Sequence, residues 1–204
     1  MDTRNQPLEP ANIYHIYNRG IGKEKIFRNR DNYLFFLSKV TKYILPVCDV
    51  LAYCLLPDHF HFLIRVKTES ELKAFAKEIK KEHTELPVLV SEQFSNCFNS
   101  YSKSFNKVFE RHGKLFDLPF KRIEVDSDSY YTVLVAYVHR NPVHHGIVKK
   151  FTDWEFSSYK AYLSDAPSRV SKREILEWFG NVPEFIKFHE GSLQHFQETN
   201  LFLE

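Results

Sequence analysis

Hydrophobic and polar positions switch along this chain between a period of two and a period near 3.6, and the switches predict its elements. Residues 13–18 alternate and carry aromatics, and Arg19-Gly20-Ile21-Gly22 then breaks the pattern, which predicts a strand and a loop. From Asp31 the apolar positions Tyr33, Phe36, Leu37, Val40 and Ile44 recur at helical spacing, with Asp31 or Asn32 near the start and Pro46 closing the end. Two apolar runs, 47–56 and 59–66, are split by Pro57-Asp58, the composition of a hairpin. Leu72, Phe75, Ala76 and Ile79 mark a second helix, and residues 85–99, interrupted by Pro87 and a Ser/Asn cluster, are expected to form a loop leading into a helix through Phe105 and Phe109. Residues 120–125 read as a fourth strand, and Asp126-Ser127-Asp128 offers N-cap candidates for a further helix.

The order β-α-β-β-α-β-α is that of an α+β, ferredoxin-like (RRM-like) split βαβ fold, with a central antiparallel sheet, helices on one face and the 59–66 strand near the middle. Beyond Pro142 the pattern is less regular, with a 154–162 segment and a helical 174–179 stretch. The expected organisation is one main domain over residues 1–150 and a C-terminal extension, 151–204, packed on it. No repeat or low-complexity tract is present.

Composition narrows the class. The 204 residues are 43% hydrophobic and 16% aromatic, enough for one good core. No apolar run approaches the roughly 18 residues of a membrane helix. Cys48, Cys54 and Cys97 form no metal-spaced pair, and an odd count without a signal peptide reads as buried, reduced thiols in a cytoplasmic protein. The net charge of +2 neither demands nor forbids nucleic acid, so local clustering has to decide.

The densest chemistry lies in Asp58-His59-Phe60-His61-Phe62. On a strand, His59, His61, Leu63 and Arg65 share one face and Phe60, Phe62, Ile64 and Val66 the other. The histidines are either polar residues on a wet sheet face or a metal-binding or phosphate-facing pair. Neither HExxH nor paired CxxC occurs, which argues against a closed structural zinc site. On the helix from Ser127, the stripe Tyr130, Val133, Leu134, Tyr137, Val138 faces the protein. Tyr137 by itself could be core, and Asn141 could be a helix-ending residue ahead of Pro142. Taken together, a phenol and an amide one turn apart could converge with the two histidines on one metal.

Leu56-Pro57-Asp58-His59-Phe60-His61, Gly113-Lys114-Leu115-Phe116, Phe120-Lys121-Arg122, Tyr137-Val138-His139-Arg140-Asn141-Pro142-Val143 and Trp154-Glu155-Phe156-Ser157-Ser158-Tyr159, in that order, resemble the single-tyrosine HUH transposases of the insertion-sequence type. The nearest branch is the REP-associated tyrosine transposases. The resemblance runs from about residue 11 to about 180. It implies a divalent ion, Mg²⁺ or Mn²⁺, held by His59 and His61 with Asn141 as third ligand. It further implies Tyr137 as the nucleophile that cleaves single-stranded or hairpin DNA, leaving a 5′-phosphotyrosine. A phenol with an ordinary pKa of about 10 needs such help at neutral pH.

Lys103, Lys107, Arg111, Lys114, Lys121, Arg122 and Arg140 interleave with aromatics, the mixture of charge and stacking surface that single strands use. Arg19 and Arg65 are further candidates near the sheet, though each of these charges could equally be a solvated face. The chain departs from the family pattern at Asp58, where an amide is expected, at His144-His145, where a basic and then a small residue are usual, and at Asp117-Leu118-Pro119, usually more basic. These departures bear on DNA affinity and leave room for a domesticated role. The competing expectation is a non-catalytic nucleic-acid-binding module, and a hydrolase using activated water is another. The family also implies a bacterial, nucleoid-associated protein acting as a monomer or homodimer.

Overall fold

The computed structural model describes residues 6–125 and 128–191. Four strands, β1 (Ile13–Arg19), β2 (Cys48–Leu55), β3 (His59–Val66) and β4 (Lys121–Val125), form one antiparallel sheet in the order β2-β3-β1-β4. The central pair is therefore β1 and β3, joined with Tyr17 opposite His61 and Arg19 opposite His59. The expected α+β, ferredoxin-like sheet is present, and its histidine strand is interior.

The helices differ from expectation in their layering. Against one face lie α1 (Arg30–Lys39) and α3 (Leu86–Val108), where Phe36, fully buried, meets Phe60 at 5.3 Å, Phe98 at 6.4 Å and Tyr101 at 5.0 Å between ring centroids. Against the other face lies α4 (Asp128–His144), whose Tyr137 ring sits 6.3 Å from His15 and 5.8 Å from His61. Helices thus cover both faces rather than one. That is why β3 is buried along nearly its whole length instead of alternating wet and dry.

Residues 85–99, expected as a loop, are instead the first half of α3. Pro87 sits in the first turn, where its missing N–H costs nothing. Leu89, Val90, Gln93, Phe94, Cys97, Phe98, Tyr101 and Phe105 then recur at helical spacing as the buried stripe, and most of the Ser/Asn cluster falls on the outer side. α1 starts one residue before Asp31, capped by Asn29 in a reciprocal box with Asn32, and runs into a π-helical turn, Val40–Ile44. A short helix, α2 (Glu69–Glu78), opens on a capping box between Thr68 and Glu71. The N-cap candidates Asp126 and Ser127 lie outside the described residues. The helix they precede continues through Pro142 to His144, so Asn141 stays helical, one turn after Tyr137.

Beyond residue 150 the chain serves the sheet edge. An edge strand exposes unpaired backbone groups, and β2 has its own satisfied by this segment. Leu55 N–H donates to Phe156 O, Ser158 N–H to Tyr53 O and Ser171 N–H to Val50 O, each at 2.9 Å. Trp154 Nε1 donates to Leu55 O at 2.9 Å. Three helices follow, α5 (Tyr159–Tyr162), α6 (Lys172–Phe179) and α7 (Val182–Gly191), and α7 is tied to α4 through His189 and His139 at 2.9 Å. Among the described residues no helix is long and apolar enough to cross a membrane.

Candidate nucleic-acid cleavage site

The site forms where the end of β1 lies beside the start of β3, with Arg19 opposite His59. The Pro57-Asp58 turn is held against the loop after β1 by Gly20 N–H on Asp58 O at 2.7 Å and Phe27 N–H on Pro57 O at 2.9 Å. Gly20 is required by the way the loop after β1 folds back on itself, because an added Cβ would lie 2.0 Å from Glu24 O. The result is a cleft of about 300 Å³ lined by Tyr17, Asn18, Arg19, Lys23, Asp58, His59, His61, Asp117, Lys121 and His145.

Each histidine of the pair has its Nδ1 against a different side chain. His59 Nδ1 lies 2.7 Å from Asp58 Oδ1, and this bond holds the Asp58 carboxyl below its usual range. A carboxylate against Nδ1 is the usual way a ligating imidazole is oriented. His61 Nδ1 lies 3.0 Å from His15 Nε2, with both side chains at 1% exposure. Burial drives the His15 pKa down to about 3 and that of His61 well below its ordinary value, so both stay neutral at physiological pH.

Behind them α4 brings Tyr137 edge-on to His61. Asn141, fully buried, donates Nδ2 to Tyr137 O at 3.1 Å, an i to i−4 bond that fixes which end of the amide is left over. Among the described residues, His61 Nε2 and Asn141 Oδ1 are buried with no hydrogen-bond partner. Buried polar atoms left without partners cost about 1–3 kcal/mol each, so a native structure that keeps them needs a reason. The atoms left over here are a neutral imidazole nitrogen and an amide oxygen, both electron-pair donors suited to a hard or borderline divalent ion. No group of three or more His, Cys, Asp or Glu side chains is arranged to hold a metal among the described residues. The donor set on offer is therefore two histidines and an amide, which fits an open catalytic position better than a closed structural one.

The predicted basic residues divide by position. Lys121 lies opposite Tyr17 and lines the cleft, as does Arg19, which pairs with Asp117 at 2.8 Å. Arg65 sits at the far end of β3, between Asp49 at 3.0 Å and Glu174 at 2.6 Å. Arg111 braces the loop after β1 through Glu24, with Nε contacts of 2.8 and 2.7 Å, and caps Lys114 O at 2.7 Å. Arg122 is on the α3 face, over the Phe120 ring at 4.9 Å. Arg140 reaches His189 O and lies over Phe151 at 5.4 Å, tying α4 to α7. Lys103 and Lys107 are exposed on α3, on the opposite side of the sheet from the histidines, and Lys114 is exposed in the loop that follows.

The sequence reading did not single out as site members His15, which contacts His61, or Tyr17, Asn18, Lys23 and His145, which line the cleft. The first two share a face of β1, a signal visible in the alternation, but their relation to His61 depends on pairing two strands 46 positions apart. His145 follows Asn141 by four residues and packs 4.5 Å from His59 between ring centroids. Two of the departures from the family pattern, Asp58 and His145, thus flank one histidine.

No family model matches the chain. A curated protein of Haemophilus influenzae, described as "Putative REP-associated tyrosine transposase", is 26% identical over 143 residues, 68% of this chain and 71% of that protein. A solved structure of a REP-associated tyrosine transposase bound to a REP hairpin superposes with a TM-score of 0.55 at 18% identity, over 82% of this chain and 89% of the other. The chain resembles the REP-associated tyrosine transposases. The sequence match is to the family that the ordered motifs resemble, and the structural match shows a shared fold.

Proposed function

We propose that this protein cleaves and rejoins single-stranded DNA next to hairpin or repeat sequences, with Tyr137 as the nucleophile. The observation that carries the reading is the placement of Tyr137 on α4 against His61, beside a buried imidazole nitrogen and a buried amide oxygen that have no partner among the described residues. The hairpin bound by the structural relative supports DNA as the substrate class.

In the forward step the Tyr137 oxygen attacks phosphorus. The new O–P bond forms as the P–O3′ bond breaks, the phenol proton passes to solvent, and the departing 3′-oxygen takes up a proton to become a hydroxyl. The linkage keeps the phosphodiester energy, so attack by another 3′-hydroxyl reverses the step and joins strands. His59, His61 and Asn141 would hold Mg²⁺ or Mn²⁺, which as a Lewis acid would supply polarisation of the scissile phosphate. Lys121 and Arg19 at the cleft supply charge for the strand backbone. In this reading the Asn141–Tyr137 backbone bond keeps nucleophile and amide in fixed register.

A second reading, a binding module without cleavage, is favoured by the depth of Tyr137, which is only 6% exposed. One assay separates them. Purified protein is incubated with labelled strands from the repeats flanking its gene, with Mn²⁺ or EDTA, and run on a denaturing gel beside Tyr137→Phe and His61→Ala. A Mn²⁺-dependent covalent band lost in both variants is the expected result. Hairpin binding with no adduct in the unaltered protein would establish the binding module, and cleavage retained in Tyr137→Phe would point to activated water.

A further inference from the structure

We infer that His15 is a positioning residue that selects the ligating tautomer of His61. This deepens the proposed function, since it rests on His61 being a ligand. The pair shares a single proton across the 3.0 Å contact between His15 Nε2 and His61 Nδ1. If His15 donated, His61 would carry its own proton on Nε2 and could not ligate. When His15 accepts, the proton sits on His61 Nδ1 and the Nε2 lone pair is available. The two ring planes are only 17° apart, and Tyr17 stacks on His15 at 5.1 Å, which fixes the plane in which the bond is made.

The pair satisfies itself only on its inner side. His15 Nδ1 and His61 Nε2, the outer nitrogens, are both buried with no hydrogen-bond partner among the described residues. A purely structural pair would gain from apolar replacements at both positions. An ion on His61 Nε2 would remove one of the two deficits and decide the direction of the bond. The contrast with His59 explains the residue type. The Asp58 side chain is 41% exposed, so a carboxylate can orient His59 while remaining hydrated. His15 is at 1% exposure, where an unpaired anion would be penalised and a neutral imidazole is the acceptor that can be buried.

The test uses the full chain. Mn²⁺ affinity is measured by titration calorimetry for the unaltered protein, His15→Gln and His15→Phe, with thermal melts of the metal-free proteins and ¹⁵N-histidine NMR at pH 7. Gln places an acceptor near the position of Nε2 and Phe keeps the ring without one. The expectation is a loss of about tenfold or more in Mn²⁺ affinity for His15→Phe, largely restored in His15→Gln, with cooperative melting in both. The metal-free spectrum should show His61 protonated on Nδ1. Should His15→Phe fail to fold, His15→Asn, whose amide falls short of the Nε2 position, must show the same loss. Unchanged Mn²⁺ affinity in a folded His15→Phe, or His61 protonated on Nε2 in the unaltered protein, would overturn the assignment. If the unaltered protein binds no Mn²⁺, the ligand reading of His59 and His61 fails, and the role of His15 falls with it.

Discussion

Phe36 shows how much a single residue can carry. Its ring is fully buried and touches rings from β3, α3 and the loop before β4, namely Phe60, Phe98 and Phe116. Truncation to alanine removes a large apolar surface from three elements whose backbones cannot all close in on the hole. Phe36→Ala is expected to cost about 3–5 kcal/mol, read as a lowered urea midpoint at unchanged slope. A loss below about 1 kcal/mol would mean that the layer repacks freely and is not the keystone of that face. The site side chains behave differently: Asn141 and His61 leave polar atoms unsatisfied in the interior, a cost to folding that ligation at the proposed site would offset.

At the level of elements, the segment after residue 150 acts as a cover for β2. Ser158 is its central contact. Its hydroxyl oxygen accepts from Tyr53 N–H at 2.9 Å and lies 2.7 Å from His139 Nε2, while His139 Nδ1 lies 2.9 Å from His189 Nε2. Because His189 Nδ1 is the donor to Phe185 O at 2.7 Å, its Nε2 must accept, so His139 donates through Nδ1 and accepts from Ser158 through Nε2. The whole chain of bonds is thereby directed. Ser158→Ala strands a buried nitrogen and a backbone N–H, and is expected to cost about 2 kcal/mol while leaving Mn²⁺ affinity unchanged. Urea denaturation and calorimetry on the same preparation check both halves; a fall in Mn²⁺ affinity would show that the cover shapes the site as well as the sheet edge. The Trp154–Tyr159 motif was legible in the sequence as a family segment, but its role as an edge cover was not, because the pairing joins residues about a hundred positions apart. The first half of α3 was misjudged for a local reason: Pro87 reads as a breaker unless it is known to stand in the first turn.

Across the whole molecule, burial of neutral histidines makes stability depend on pH. Burial holds His189 down to about 4, with the guanidinium of Arg140 pushing the same way and the backbone bond to Phe185 opposing. The folded pKa therefore lies below the ordinary value near 6.5, and on acidification the unfolded chain takes up the proton first. The contribution is complete above pH 6.5 and is lost as pH falls toward 4. At pH 5 the loss from this histidine is about 2 kcal/mol relative to pH 7. His189→Gln keeps an acceptor for His139 without a titrating group, so the drop in urea-derived stability between pH 7 and pH 5 should shrink by about that amount. An equal drop in both proteins would place the acid sensitivity elsewhere.

The sequence by itself determined most element types, the first half of α3 apart, the antiparallel ferredoxin-like sheet and the face that carries His59 and His61, because periodicity and turn residues are local properties of the chain. It also determined the spacing of Tyr137 and Asn141, since four residues make one helical turn. Only the tertiary structure decided that α4 covers the histidine face, that His15 and Asp58 lie against the Nδ1 atoms of the pair, and that Arg65, Arg111, Arg122 and Arg140 are engaged in bracing contacts. Those outcomes depend on which distant strands and helices meet. A charged or polar residue looks the same in the sequence whether its partner is a carboxylate across the sheet, a carbonyl on another helix or a strand of DNA.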